Sequence, residues 1–467
     1  MRVCIIGAGA AGLGAAYYLN QQGITDVTIF EALDRVGGKC YTLQDEGQAY
    51  DMGAIEVTPA YIETLALIER FGLGDTLVPI PDAVVIDRQN GEVTPFSSSL
   101  YTPAELQQLP GQLAIFLHNL LSPDLYPWMI RPGLHDAPPR IRGRSFDEWL
   151  NEIGAPLVAR IFWVYIFCFG YGYVEKIPAL YAIKFCSVIN FAATMRRINM
   201  SEYLPRFMRD AITPTTTVLL RNGYGDLMNR VHDSLAQPAA LQTKVKRVWR
   251  ENDQVRVKYS TKFDSAEKEQ SFDYLIVAVP QTEDSLKFLD LTSTEQSLFS
   301  KVFTTTYATT LQRPKSFEFL HYTELRADGV PGEAPIPAPV QFAQIWDNQS
   351  SDMIFYTDTG RDVVPEAQIE KLVRENMKTM GYAEGKNVAT QVWRYFPRAD
   401  TPDLFPGFNP SDPAPDRSGD FYNVLDGIQG ENRTFYCGGL LNFELVETTL
   451  RYSHAIADRI ANAANST

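Results

Sequence analysis

The chain has 467 residues, enough for two domains with full cores, and apolar and charged fractions of 45% and 21% typical of a globular protein. A formal net charge of −14 argues against nucleic acid or an anionic lipid surface as a partner, since bulk charge would repel both. Cys4, Cys40, Cys168, Cys186 and Cys437 form no close pair, which excludes a CxxC redox motif and a cysteine zinc cluster.

The scattered thiols predict a reducing, cytoplasmic setting, and the few histidines show no metal-ligand spacing, so no metal is expected. The first strand begins by residue 3 with no basic stretch before it, which argues against a signal peptide. The most apolar run, Ile161 to Phe169, is too short to span a bilayer, so no transmembrane segment is expected.

In chain order, Val3-Cys4-Ile5-Ile6 leads into Gly7-Ala8-Gly9-Ala10-Ala11-Gly12, then a helix-like stretch, then Val27-Thr28-Ile29-Phe30 ending on Glu31. Strand, glycine turn, helix, strand and acid is the order of a dinucleotide-binding βαβ unit. Gly7 permits the tight turn, Gly9 lets backbone approach a pyrophosphate, and Gly12 lets the helix lie on the sheet. Phosphates would sit at the helix N-terminus, where free N–H groups and the helix dipole favour negative charge. Glu31 falls nineteen residues after Gly12, about where a ribose-binding carboxylate is wanted.

Tyr61 to Gly72 reads as a helix closed by glycine, and Val84 to Val93 as two short strands around an Asn90-Gly91 turn. Helical periodicity dominates from Thr102 to Tyr203, broken at Asp136-Ala137-Pro138-Pro139. A helix is expected over Leu227 to Leu235, a hairpin over Lys244 to Tyr259, and a buried strand over Asp273 to Pro280, ending on the proline. Strand-like runs recur at Tyr307 to Leu311, Val340 to Trp346, Met353 to Tyr356 and Val388 to Tyr395. Asp400 to Asp420 reads as a long loop, and Glu447 to Ala461 as the last helix. No second strand–GxGxxG–helix occurs, which argues against a separate NADPH domain.

Glu31-Ala32-Leu33-Asp34-Arg35-Val36-Gly37-Gly38-Lys39 resembles the acid-x-x-x-Arg-x-Gly-Gly extension of FAD enzymes of the amine oxidase-like superfamily. Asp51-Met52-Gly53-Ala54 resembles the segment such enzymes lay against the flavin. Within the superfamily the chain is similar to bacterial polyunsaturated fatty acid double-bond isomerases and to β-cyclopiazonate dehydrogenase-like flavoenzymes. Phe169-Gly170-Tyr171-Gly172, Tyr395-Phe396-Pro397, Asp426-Gly427-Ile428-Gln429-Gly430 and Thr434-Phe435-Tyr436 carry that likeness.

The resemblance implies an α/β chain: a Rossmann-like FAD-binding domain with an inserted α+β substrate domain. Residues 1–75, 209–290 and 397–467 would form the FAD domain, with 76–208 the helical part and 291–396 the sheet of the substrate domain. It also implies flavin contacts at Ala32, Arg35, Gly37, Gly38, Lys39, Met52, Gly53, Ala54 and Ile55, an adenine contact through the Val245 backbone, and contacts at Gly438, Gly439 and Val446. With Gly7, Gly9, Ala10, Ala11, Gly12 and Glu31 these make up the expected cofactor site. Two departures stand out. Many relatives have Gly-Glu where this chain has Gly438-Gly439, and Glu447 is the expected substitute for that glutamate. The fatty acid isomerase's carboxylate-holding arginine has no counterpart, because Asp82 to Val85 stand in its place and Arg88 belongs to the hairpin tip.

Relatives that attach flavin covalently use a cysteine before the last strand. None lies between Cys186 and Cys437, so non-covalent FAD is expected. Phe162 to Tyr171 is a dense aromatic block, either a core helix or a substrate wall with Phe169 and Tyr171 as liners; Trp393 and Tyr395 either face the substrate or pack between sheets. Arg394, Arg451, His454 and Lys301 are further candidates whose ordinary reading is a surface or satisfied side chain. The expected function is FAD-dependent hydride abstraction from a lipophilic small molecule, by resemblance a double-bond isomerisation. The alternatives are oxidation of a C–N or activated C–H bond, or a non-catalytic flavin-binding protein.

Overall fold

The computed structural model describes residues 1–80, 84–86, 93–162, 166–206, 208–209, 217–251, 253–314, 321–324, 338–344, 352–379, 385–409, 411–412 and 416–465. Strand β1 (Val3–Ile6) is buried at every position, as its unbroken apolar run requires of a strand covered on both faces. Helix α1 (Ala10–Gln21) follows, and strand β2 (Val27–Phe30) returns parallel to β1.

The central sheet runs in the order Thr434–Tyr436, Tyr274–Val277, β1, β2, and its neighbours pair in parallel. Ile6 lies opposite Val277, and Val277 opposite Tyr436. That register brings the residues that follow, Gly7, Ala278 and Cys437-Gly438, to one edge although they are far apart in sequence. The carboxyl ends of parallel strands are where open α/β sheets place their ligand crevice.

Helix α1 lies against the final helix, Val446–Asn465. The Ser453 hydroxyl donates to the Ala11 carbonyl at 2.9 Å, and Gly14 faces Leu450 and Ser453 closely enough that a methyl group there would press on Leu450. A three-stranded antiparallel sheet, Thr243–Glu251, Gln254–Thr261 and Lys268–Phe272, joins the edge at β2, where Thr243 N–H donates to the Glu31 carbonyl and the Phe30 and Tyr259 rings meet at 4.6 Å.

The larger sheet has seven strands in the order Lys386–Arg398, Phe303–Arg313, Met353–Asp358, Ala338–Gln344, His321–Glu324, Val84–Ile86, Val93–Thr94. The expected Val84/Val93 hairpin therefore ends this sheet, pairing Ile86 with Val93. Its Asn90-Gly91 turn, with Asp82 and Arg88, lies outside the described residues, as do Trp163-Val164-Tyr165 of the aromatic block and Trp346. Helices cover the region from Phe96 to Arg197, two of them begun by capping boxes, Thr102 with Glu105 and Ser145 with Glu148.

Two boundaries differ from the sequence reading for a tertiary reason. The helix expected from Leu227 starts at Gly223, because Asp51 accepts from Tyr224 N–H at 3.0 Å and Thr42 Oγ1 accepts from Gly225 N–H at 2.8 Å. These caps come from a distant hairpin and leave no local signal. The Asp400–Asp420 segment holds a short helix, Thr401–Leu404, and is tied down by the buried Arg142–Asp420 ion pair at 2.8 Å. Among the described residues no helix is long and apolar enough to cross a membrane.

Candidate functional site

One cavity of about 360 Å³ opens at the carboxyl edge of the parallel sheet and runs beneath the seven-stranded sheet. Its floor is the glycine turn. Gly7 sits at φ +103°, a conformation costly for any residue with a Cβ, and a methyl group on Gly12 would overlap the Gly7 carbonyl oxygen. Gly9 is different. Its backbone is ordinary (φ −74°, ψ −177°), and the nearest protein atom to a Cβ built there is Gly38 Cα at 3.8 Å, so the space in front of Gly9 is open. It caps α1 without a side-chain bond, and no acidic residue occupies the first turn, so free N–H groups and the positive end of the helix dipole open onto the cavity.

Ala10, Ala11, Gly37, Gly38 and Lys39 line the same space. Arg35 does not: its guanidinium donates to the Gly38 carbonyl at 2.8 Å and lies over Tyr41 at 4.3 Å, so it braces the second glycine pair from behind. Glu31 lines the cavity with its carboxylate already placed, Oε2 accepting from Ala8 N–H at 2.7 Å and Oε1 from Leu33 N–H at 2.8 Å. Each oxygen keeps a lone pair for a ligand hydroxyl. Gly53, Ala54 and Ile55 also line the cavity, Gly53 pressed against the Lys39 carbonyl. Gly12, Ala32, Met52 and Val245 lie outside the lining; Met52 is fully buried and its carbonyl accepts from the Trp393 indole at 2.6 Å.

From the far end of the chain Gly438, Gly439 and Val446 reach the cavity. Gln281, for which the sequence offered no motif, ties two strand ends together, its amide donating to the carbonyls of Val277, Val279 and Cys437 at 3.1, 2.7 and 3.0 Å. Glu447 does not line the cavity. Its carboxylate accepts from Thr64 N–H and Oγ1, both at 3.0 Å, and from Glu63 N–H at 3.2 Å, capping the helix Ile62–Arg70, and burial raises its pKa. The acid that does reach the cavity is Glu444, ion-paired with Lys39. A Cβ on Gly439 would lie 3.1 Å from Glu444, so the glycine leaves room for that side chain.

The roof is aromatic. Phe169, Tyr171, Trp393 and Tyr395 all line the cavity, joined by Tyr307 and Tyr356, for which periodicity predicts only a strand. Trp393, Tyr395 and Pro397 alternate along one strand, and Tyr307 and Thr309 along its neighbour, so each set points to one face. That period-two pattern is the signal that could have found Tyr307. Consecutive rings stack nearly parallel: Tyr171 on Tyr395 at 5.4 Å, Tyr395 on Tyr307 at 5.3 Å, Tyr307 on Tyr356 at 6.1 Å.

Polar groups stand at both ends of this row. Lys39 Nζ lies 5.9 Å from the Tyr395 ring, beside Glu444, whose backbone carbonyl accepts from the Tyr171 hydroxyl at 3.1 Å. At the Tyr356 end the helix Val188–Arg197 presents Asn190, Thr194 and Arg197 to the cavity, and Arg197 pairs with Glu56. Lys301, Arg394, Arg451 and His454 are not in the lining: Arg451 donates to the Ile130 carbonyl, and His454 stacks on Tyr18 at 4.1 Å and meets Glu63 at 3.3 Å. Among the described residues no group of His, Cys, Asp or Glu is placed to hold a metal ion.

Comparison with known proteins agrees with this architecture. The family model for flavin containing amine oxidoreductases matches residues 10–396. A fatty acid isomerase from P. acnes, described as CLA-producing, superposes with a TM-score of 0.81 at 22% identity, covering 98% of each chain; at that identity the likeness is one of fold. A tryptophan 2-monooxygenase of Agrobacterium vitis is 40% identical over 167 residues, 33% of this chain and 22% of that protein. Protoporphyrinogen oxidase 2 of Arabidopsis thaliana is 44% identical over 72 residues, 15% of this chain and 14% of that protein. The chain thus matches under a quarter of the length of these two curated relatives. The chain belongs to the flavin-containing amine oxidoreductase family and has its mixed α/β, flavin-binding fold.

Proposed function

We propose that this family member holds FAD without a covalent link and works as an oxidoreductase that takes hydride from a lipophilic small molecule. The observation that carries this reading is that one cavity is lined both by Gly9, Gly38 and Glu31 and by the tyrosine row. The residues fit the cofactor: an open approach at Gly9, an uncapped helix N-terminus and a carboxylate held by two backbone N–H groups match a pyrophosphate and a ribose. A bound flavin supplies the hydride acceptor. The chain's own part is to orient the substrate on Tyr171, Tyr395 and Trp393 and to keep water away from the reacting carbon.

Cys40, the cysteine in the lining, has its thiol pushed up to about 12, mainly by burial, which disfavours the nucleophilic thiolate and supports a non-covalent cofactor. The division into FAD segments 1–75, 209–290 and 397–467 and substrate segments 76–208 and 291–396 belongs to the same proposal. For the net reaction we favour hydride return to a different carbon, isomerising a polyene, because the roof is aromatic. The family match supports a second reading, oxidation at a C–N bond.

Anaerobic mixing of the FAD-loaded protein with polyenes and amines decides the matter. A shifted double bond with the flavin spectrum unchanged at the end supports isomerisation. Lasting bleaching, with peroxide on admitting air, supports oxidation. Protein that cannot be loaded with FAD overturns the proposal.

A further inference from the structure

Among the described residues the cavity carries no uncompensated positive charge. Its charged lining residues are Glu31, Lys39, Glu56, Arg197 and Glu444, and each cation is already paired, Lys39 with Glu444 and Arg197 with Glu56. The second pair is well withdrawn from water, with side-chain exposures of 6% for Arg197 and 15% for Glu56. A free carboxylate entering at that end would shed its hydration beside Glu56 and find no unshared cation among the described lining residues, which is costly in an apolar enclosure.

A second observation concerns Tyr356, which lines the same end. It is 6% exposed, and its hydroxyl is buried with no hydrogen-bond partner among the described residues. Two other tyrosines of the row differ: Tyr171 donates to the Glu444 carbonyl and Tyr307 to the Cys168 carbonyl. Glu56 and Arg197 line the same cavity as Tyr356, and both act electrostatically on its hydroxyl, as the buried Asp51 does. Buried hydroxyls are nearly always satisfied, and one left open in a cavity wall marks a place for a ligand atom. Beside it Asn190 is occupied, accepting from Thr58 Oγ1 and donating to the Phe185 carbonyl.

We propose that the Arg197–Glu56–Tyr356 end is a head-group subsite for an uncharged polar group, such as a hydroxyl, amide or ester, on an elongated apolar substrate. The proposal rests on the lipophilic-substrate reading above and narrows it: the apolar body lies along the tyrosine row, and the neutral head bonds the Tyr356 hydroxyl beside a pair that cancels its own charge.

The test compares linoleyl alcohol, linoleamide and linoleic acid on wild type, Tyr356→Phe and Glu56→Gln. Binding is read twice, from the bound-flavin spectrum and from tryptophan fluorescence, to which Trp393 in the lining contributes. In wild type the alcohol and amide are expected to bind at least tenfold more tightly than the acid. Tyr356→Phe should weaken both about five- to tenfold, the worth of one neutral hydrogen bond, at unchanged flavin content. Its melting temperature should not fall, since it removes a hydroxyl with no partner among the described residues. Glu56→Gln should narrow the acid's disadvantage to about parity by removing the negative charge beside the head group. Tightest binding of the acid by wild type, unchanged affinities in Tyr356→Phe, or no binding of any probe would each overturn the subsite. Failure to load FAD would sink the oxidoreductase reading instead, and the fluorescence titration would still judge the subsite.

Discussion

Gly9 and Gly12 lie one helical turn apart, yet the structure predicts opposite outcomes for the same small change. An alanine at Gly9 meets no protein atom closer than Gly38 Cα at 3.8 Å, an ordinary van der Waals distance, and its φ of −74° suits any residue. The weaker helix cap and the less flexible unfolded chain oppose each other, each by about 1 kcal/mol or less, so the apoprotein should keep its stability to within about 1 kcal/mol. For a chain this long that is a melting shift on the order of 1 °C. The same methyl group stands in the open space that a pyrophosphate would fill. Overpacking of that kind costs about 1–3 kcal/mol, or roughly ten- to hundredfold in FAD affinity. An alanine at Gly12 instead overlaps the Gly7 carbonyl oxygen and comes to 3.1 Å from Ile5 Cγ2, so it must push α1 off the sheet with or without ligand. Its apoprotein should melt several degrees lower and its flavin content should drop too. The assay is calorimetry of the apoproteins together with FAD titration followed by flavin fluorescence. Wild-type FAD affinity in Gly9→Ala, or an unstable Gly9→Ala apoprotein, would refute the reasoning.

Three further outcomes follow from the geometry. Glu31→Ala removes the acceptor shared by Ala8 and Leu33 N–H and should weaken FAD binding roughly ten- to hundredfold; equal flavin occupancy would count against the ribose role. Glu447→Ala strips three bonds from the helix at Thr64 and should cost about 2–4 kcal/mol of apoprotein stability, whereas flavin loss at an unchanged melting point would restore the cofactor role expected from sequence. Burial raises the Asp51 carboxyl from 3.8 to about 7. The folded state therefore binds the extra proton between those values, and this group's contribution to stability, complete below pH 4, is lost as pH rises through 7. Urea midpoints at pH 5 and pH 8 should show that decline in wild type and a smaller one in Asp51→Asn; an identical slope in both would exclude Asp51 as its source.

Local periodicity was enough to identify the βαβ unit, because the turn, helix and flanking strands are set by neighbours within forty residues. Its glycines have steric roles that any sequence with that spacing must share: Gly12 yields to the Gly7 carbonyl, and Gly9 stays open. Phe169, Tyr171, Trp393 and Tyr395 were also legible as a group, since aromatic residues at strand and turn positions must cover something. Whether they covered core or cavity was not, because both environments bury one face of a ring.

What the sequence alone determined is the nucleotide-type turn, the alternation of helix and strand around it, and the absence of charge and cysteine patterns for other chemistries. Tertiary structure alone decided who shares the cavity. Parallel register sets Gly7, Ala278 and Gly438 side by side. Glu447 turns away to cap a helix 383 residues earlier in the chain, while Glu444 takes the cavity position that glycine at 439 leaves free. Arg197, an unremarked helix residue, pairs with Glu56 and shares the cavity lining with Tyr356, each from a different element. Such meetings depend on strand order and helix packing across hundreds of residues, and no local pattern encodes them.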